Sequence, residues 1–355
     1  MPSSHRFLLA FLGLAAACAS ELGATTDAGP DGSVDIEQDA AAPEMPPDLF
    51  DLGVELGDSG TEPTEPTEPT EPTEPTEPEE PMEPGPEPAP GVPSSWEVEM
   101  TFATVNIGRS YANRARVASV IDHVADVVSS KRGPRLIGWQ EIGEGDPCGD
   151  CEIEVLRSRF RSGDGWETRR PSGNRPSGGS ERVKVPITSK GANEGMVARA
   201  AFASPGWAGV SPTRFVTVVH YPLRNVSVIN THLIAGAWSC KSQVERRRDY
   251  WRRAWRVLKD QVAREVSRGR NVIVTGDLNR PRGANRCNPA WDPTSLHGRA
   301  RIIGGAGIDY VFAVPASGWD FRFSRRGDDS IRRGSIHLGI DGHQGHWVTG
   351  RFRAR

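Results

Sequence analysis

Asn271-Val272-Ile273-Val274-Thr275-Gly276-Asp277-Leu278-Asn279 is the stretch from which the fold can be read. A mostly apolar, β-forming run meets a glycine, and an acid and an amide follow two residues apart. A short apolar run closed in this way reads as a buried strand. Side chains alternate along a strand, so Asp277 and Asn279 share one face. The same grammar recurs on both sides. Residues 96–105 read as a strand ending in Thr104-Val105-Asn106, and residues 136–139 as one ending in Gln140-Glu141. Residues 214–221 and 225–233 read as a hairpin whose second arm ends in Asn230-Thr231-His232-Leu233. Strands are also expected over 309–313 and 347–353. Val117, Val120, Ile121, Val124, Val127 and Val128 sit at helical spacing within 113–128. Trp251, Trp255, Leu258, Val262 and Val266 make the apolar stripe of a long helix over 244–266, closed by Gly269. Strands of this kind with interspersed helices argue an α/β (α+β) fold with sheets in the middle.

The polar residues cluster where those strands end. Apolar strands that each deliver one or two polar groups to one rim look like a shared site, because charged side chains are rarely buried without function. A carboxylate (Glu141), an amide (Asn106) and no compact His/Cys cluster suit a hard, oxygen-loving cation such as Mg²⁺. The pair Asp277 and Asn279 can orient a water and hold a phosphoryl oxygen. Two histidines can serve as general base and as electrostatic partner of a phosphorane-like transition state.

In order along the chain, Asn106, Gln140-Glu141, Asn230-Thr231-His232-Leu233, Gly276-Asp277-Leu278-Asn279, Ile308-Asp309-Tyr310-Val311-Phe312 and a late histidine resemble the endonuclease/exonuclease/phosphatase superfamily. That family includes deoxyribonuclease I-like nucleases, abasic-site endonucleases, bacterial sphingomyelinases and inositol phosphatases. The resemblance covers about residues 97–355. It implies a four-layer sandwich of two mixed β-sheets flanked by helices, and a Mg²⁺-dependent phosphoester hydrolase, with Mn²⁺ or Ca²⁺ as alternative ions. It further implies Glu141 and Asn106 as metal ligands, Asp277 orienting the attacking water, Asn279 on phosphate, and His232 as the second histidine at the scissile phosphate. His346, with Asp309 as its carboxylate partner, is the expected catalytic histidine. Glu194 is expected to partner His232, and Arg199 to contact phosphate. The family ends in Ser-Asp-His, whereas here Gly345 precedes His346. His343 is the alternative histidine, and Asp341 the residue that could replace the missing acid.

Charge is unevenly spread. The 355 residues carry a formal net charge of −3, but residues 1–96 hold one basic residue, Arg6, and 21 acidic ones. Residues 97–355 hold 42 basic and 25 acidic residues, a net of +17. This excludes a wholly disordered chain, and the single short apolar run excludes a multi-span membrane protein. Eleven apolar residues, 7–17, suit a signal peptide, and Ala15-Ala16-Ala17-Cys18 resembles a bacterial lipobox. The expected organisation is a lipoprotein signal peptide over 1–17, a disordered acidic stalk over 18–95 and a catalytic domain over 96–355. Cys18 would carry lipid. Ser20, two places on, resembles the outer-membrane sorting signal, so the expected location is a bacterial membrane, outer membrane first, or the cell surface. Residues 61–78 are six Thr-Glu-Pro repeats, a composition that favours extended polyproline II.

Cys148, Cys151, Cys240 and Cys287 remain. In an exported chain an even count favours disulfides, here Cys148–Cys151 and Cys240–Cys287, with a four-cysteine zinc site as the competing reading. The basic domain favours nucleic acid as substrate. A phospholipid or sphingomyelin phosphodiesterase, or an inositol-type phosphatase, is the alternative, although no exposed apolar hairpin for membrane insertion is visible. A third reading is a catalytically inactive polyanion-binding module. Membrane contact is expected through the lipid anchor only, and no obligate protein partner is implied.

Overall fold

The computed structural model describes residues 93–108, 114–144, 151–240, 243–324, 332–339 and 343–355. The signal segment, Cys18, nearly all of the expected stalk, Cys148 and Asp341 lie outside the described residues. The strands are β1 Met100–Asn106, β2 Arg135–Gln140, β3 Trp166–Arg169, β4 Ser172–Asn174, β5 Ser180–Arg182, β6 Ile187–Lys190, β7 Val197–Ser204, β8 Arg214–Tyr221 and β9 Val226–His232. They continue with β10 Asn271–Asp277, β11 Arg301–Ala306, β12 Asp309–Val314, β13 Trp319–Phe323, β14 Arg333–His337 and β15 Gln344–Ala354. The helices are α1 Arg114–Ser129, α2 Cys151–Arg159 and α3 Val244–Ser267.

One sheet runs β13-β15-β1-β2-β6-β3, with β14 also on β15; the other runs β11-β12-β10-β9-β8-β7. Both are mixed. In the first, β1 and β2 are parallel and the chain between them contains α1. In the second, β9 and β10 are parallel and α3 lies between them in sequence. The remaining pairings are antiparallel, including the expected β8–β9 hairpin.

Three apolar clusters correspond to the three interfaces of four layers. Ala103, Val105, Ile137, Trp139 and Trp347 of the first sheet pack with Val117, Val120, Ile121 and Val124 of α1 and with Ile153 and Leu156 of α2. Phe102, Leu136 and Val348 meet Val219, Val228, Ile273 and Val311 between the sheets. Val218, Ile229, Val272, Val274 and Phe312 pack under Trp251, Trp255, Leu258 and Val262 of α3. Alternate residues of one strand thus enter different cores, as strand geometry requires. Gly269 ends α3 with φ +73° while its N–H donates to Val266 O, a backbone that glycine adopts without penalty. The expected four-layer α/β sandwich is present.

Cys240 and Cys287 form a disulfide with Cα atoms 5.4 Å apart. Cys151 is also disulfide-bonded; Cys148, its expected partner, lies outside the described residues. Two of the four sulfurs are therefore joined to each other, and the four-cysteine zinc site is excluded.

Candidate active site

The site extends the face that the two sheets turn toward each other. On β9, Val226 and Val228 enter the inter-sheet core, and two further steps of the same phase give Asn230 and His232. On β10, Ile273 leads to Thr275 and Asp277; on β12, Val311 leads back to Asp309. In the first sheet, Phe102 leads to Thr104 and Asn106, and Leu136 leads to Gln140. A buried polar layer comes first. Gln140 Nε2 donates to Asn230 Oδ1 across the sheets at 2.6 Å, Thr275 Oγ1 donates to the same oxygen at 3.1 Å, and Asn230 Nδ2 donates to Trp139 O at 2.7 Å. Gly138 makes room for it, since a Cβ there would lie 2.1 Å from Thr275 Oγ1.

Above that layer lies the rim. Register sets His232 beside Asp277, and Asp277 beside Asp309. Asp309 opens β12, and His343 directly precedes β15. Both strands run antiparallel to their neighbours, so their first residues reach the same rim as the last residues of β1, β9 and β10. Asn106 Nδ2 donates to Asp277 Oδ2 at 2.9 Å and to Glu141 Oε1 at 3.3 Å, clasping a carboxylate from each sheet. Its Oδ1 accepts from Gly108 N at 2.8 Å. Asn106, expected to offer an oxygen to metal, thus presents its amide N–H groups to the acids. Glu141 (φ +67°) and Asn279 (φ +48°) both adopt the left-handed backbone that non-glycine residues avoid and that is found concentrated at functional sites. Asp277 Oδ1 accepts from Asn279 N at 2.7 Å, and Asn279 Nδ2 donates to Leu233 O at 2.9 Å, leaving its second N–H available.

Burial, reinforced by the Asp309 charge, pushes Asp277 up to about 6. Burial raises Asp309 as well. His343 Nδ1 lies 3.4 Å from Asp309 Oδ2. Burial alone would lower the His343 pKa; the hydrogen bond to Asp309 and the fields of Asp277 and Asp309 raise it instead. His346 instead meets Ser335 Oγ at 3.2 Å, and burial lowers its pKa. The expected Asp309–His346 pair is therefore corrected to Asp309–His343. His346 lies inside β15, opposite Thr104, whereas His343 precedes the strand and turns over Asp309. Both histidines line a cavity of about 530 Å³ with Asp309, Gly307 and His337. Gly345 shares the phase of Trp347, and a Cβ on it would lie 3.1 Å from Ile336. An acid there would enter the apolar core under α1, away from the rim.

His232 is buried among charges. Its Nε2 lies 3.6 Å from Asp277 Oδ2 and 3.8 Å from Glu141 Oε1. Its Nδ1 lies 2.8 Å from Arg214 Nη1 and 3.3 Å from Glu144 Oε1. Arg214 Nη1 also donates to Glu144 Oε1. Burial would raise the Glu144 pKa, but Arg214 and His232 outweigh it and hold the carboxyl down at about 2. The acidic partner of His232 is therefore Glu144. Glu194, expected in that role, is exposed in the turn before β7, at the end of the sheet where Val197 pairs His220, away from the rim. Arg199 follows on the face of β7 toward α3, where it bonds Gln261 and, at 2.8 Å, Glu265. Neither reaches the site. Sequence reading missed Glu144 and Arg214. The one available signal was Arg214 itself, a charge opening an otherwise apolar strand.

The loop that carries Asp277 and Asn279 is pinned. Leu278 N donates to Ile308 O at 2.9 Å, Trp251 Nε1 to Leu278 O at 2.7 Å, and Tyr310 Oη to Arg280 O at 3.0 Å. Trp238 is part of this support, with the Arg280 guanidinium 3.5 Å over its ring.

The ligand atoms of Asp277, Asp309 and His343 lie within 4.8 Å of one another and could hold a metal ion. Asp309 Oδ1 is buried with no hydrogen-bond partner. Two adjacent buried carboxylates, one with an unmet oxygen, fit a cation. Glu141, held by the Asn106 amide, is a nearby carboxylate outside that cluster, and hard carboxylate oxygens suit the Mg²⁺, Mn²⁺ and Ca²⁺ class.

No protein-family model matches this chain, and no curated protein does. Solved structures are similar to it at low identity. An endonuclease/exonuclease/phosphatase from Beutenbergia cavernae is 16% identical, with 71% of each chain covered and a TM-score of 0.45. An endonuclease/exonuclease/phosphatase family protein from Bacteroides thetaiotaomicron is 11% identical, covering 72% of this chain and 98% of that one, with a TM-score of 0.44. TDP2 from D. rerio, in complex with a single-strand DNA product, is 12% identical over 72% of this chain and 99% of that one, with a TM-score of 0.44.

Proposed function

We propose that this chain is a divalent-metal-dependent phosphoester hydrolase of the endonuclease/exonuclease/phosphatase superfamily, and that its substrate is nucleic acid. The observation that carries the reading is the convergence of Asn106, Glu141, His232, Asp277, Asp309 and His343 from two sheets at one rim. A cation bound at Asp277, Asp309 and Glu141, Mg²⁺ first and Mn²⁺ or Ca²⁺ as alternatives, would neutralise charge on the phosphoryl oxygens. The chain's own groups do the rest. Asp309 holds His343 by Nδ1, which leaves Nε2 to take the proton of the attacking water. Asp277 orients that water. His232, anchored through Nδ1 by Arg214 and Glu144, donates through Nε2 to a non-bridging oxygen, and Asn279 donates its free N–H. Asn106 keeps Glu141 and Asp277 at the separation the site requires.

The choice of nucleic acid rests on charge. Residues 97–355 carry a net +17, and Arg246, Arg247, Arg248, Arg252, Arg253 and Arg256 lie on α3. Such a field draws polyanions at long range. Export and lipid attachment at Cys18 belong to the same proposal. Loss of palmitate incorporation in Cys18→Ala checks that part.

The deciding experiment is hydrolysis of plasmid DNA by the full chain with Mg²⁺ and with EDTA, beside His232→Ala. Nicking that needs both the ion and His232 is expected. Absence of cleavage by the folded, Mg²⁺-loaded chain overturns the nuclease reading. Turnover of phospholipid or inositol phosphate in its place would then identify the phosphatase branch, and none on any of them an inactive binding module.

A further inference from the structure

Arg246, in the first turn of α3, lies with Cζ 4.1 Å over the centroid of Trp207 and 5.6 Å from that of Tyr250. Its Nη2 donates to the Tyr250 hydroxyl at 3.3 Å, and the two rings meet edge to face at 6.0 Å. Trp207 and Tyr250 are half-buried against the α3 core, whereas Arg246 is exposed. Arg248 pairs with Glu245, and Arg253 with Asp249. Arg246 has no carboxylate partner among the described residues. A guanidinium held over an indole keeps most of its five N–H groups for other acceptors, and the contact has already removed part of its side-chain entropy.

This platform is joined to the catalytic rim. Trp207 exchanges backbone hydrogen bonds with Ser211 at 2.7 and 2.9 Å. Ser211 Oγ accepts from Arg214 Nε at 2.9 Å, and Arg214 Nη1 lies 2.8 Å from His232 Nδ1. The neighbouring Arg247 donates to Ala235 O at 2.9 Å, three residues beyond His232. Arg246 is therefore an exposed guanidinium, without a carboxylate partner among the described residues, on a platform linked through Ser211 and Arg214 to His232.

We propose that Arg246, held by Trp207 and Tyr250, is a subsite for a backbone phosphate of a nucleic-acid strand flanking the scissile phosphate. The proposal rests on the nucleic-acid reading above. Its ligand is a polyphosphodiester, recognised by charge-assisted hydrogen bonds without reading of bases.

The test compares the full chain with Arg246→Ala and Arg246→Lys on long duplex DNA and on bis(p-nitrophenyl) phosphate, which has one phosphate. KM for DNA is expected to rise roughly fivefold in Arg246→Ala, with most of the loss in KM and little in kcat. The loss in kcat/KM on DNA should exceed that on the small diester. Arg246→Lys keeps the charge without the planar, multi-donor guanidinium and should fall between. DNA binding measured in EDTA over a series of salt concentrations should lose about 0.9 from the slope of log K against log salt, the share of one phosphate. Equal losses on both substrates, or an unaltered salt slope, overturn the subsite and leave the hydrolase intact. If the unaltered chain cleaves neither substrate, the hydrolase reading fails, and the EDTA binding slope still decides for or against Arg246. Weakened binding to phosphatidylglycerol vesicles with DNA binding intact overturns the subsite in favour of a membrane surface.

Discussion

Glu144 shows how single residues set the chemistry here. Arg214 and His232 hold it ionised, and it in turn neutralises a guanidinium that is even more buried. Glu144→Gln keeps the shape, removes the charge and leaves Arg214 buried without its counter-ion. Breaking a buried pair from one side costs about 3–5 kcal/mol, so the urea midpoint at pH 7 should fall clearly. Turnover should drop about 10²-fold, the lower range for a misplaced acid–base group. The pH dependence has a definite sign. The folded pKa, near 2, lies below the ordinary 4.5. The stability that Glu144 contributes is thus fully present above about pH 4.5 and is lost as pH falls toward 2. The gap between wild type and Glu144→Gln should close over that window; a gap that persists at pH 2 would refute the pairing. Neither residue could be assigned from sequence, because a partner is fixed by which strand ends meet. The motif residues Glu141, His232 and Asp277 were legible because each ends its own apolar run. His343 was passed over for His346 because a reading that starts the last strand at Trp347 misses β15 beginning at Gln344.

At the scale of elements, the polar layer beneath the rim ties one sheet to the other. Asn230 accepts from Gln140 and Thr275 and donates to Trp139 O and to Pro186 O at 3.0 Å, so a single β9 side chain grips β2, β10 and the segment before β6. Glu141 and His232 each lie one or two residues beyond it. Asn230→Leu keeps the branched shape but abandons several buried polar groups, at about 1–3 kcal/mol each. A loss of at least about 3 kcal/mol is expected from thermal or urea unfolding. The residual folded protein should also show weakened Mg²⁺ binding by calorimetry, since Glu141 and Asp277 belong to different sheets. Unchanged Mg²⁺ affinity in the folded fraction would reduce Asn230 to a purely structural role. The strands of this seam were readable because they are apolar and alternate, as were α1 and α3 by their 3.6-residue stripes. β4 and β5, Ser-Gly-Asn and Ser-Glu-Arg, carry no such pattern, and α2 has only a weak apolar face, so their existence depends on contacts that no local rule encodes.

The whole molecule balances stability against the site. Asp277 and Asp309 are adjacent in register, both buried and both raised in pKa, and Asp309 keeps one oxygen unmet. Repulsion between them destabilises the metal-free fold, and a cation that binds only the folded state recovers that loss by mass action. At a hundredfold excess over Kd the gain is about 2.7 kcal/mol, which for a domain of this size corresponds to a rise in Tm of about 5–10 °C. Asp309→Asn retains a group able to accept from His343 Nδ1 while removing one negative charge. Its stability in EDTA should therefore exceed that of the wild type, by on the order of 1 kcal/mol, with a correspondingly higher Tm, and its further rise on adding Mg²⁺ should shrink or vanish together with turnover. The two effects have one electrostatic origin, so they must appear together in scanning fluorimetry. A metal-free Asp309→Asn chain less stable than wild type, with its Mg²⁺ shift intact, would mean that Asp309 is chiefly a structural partner of His343 and that the ion sits elsewhere.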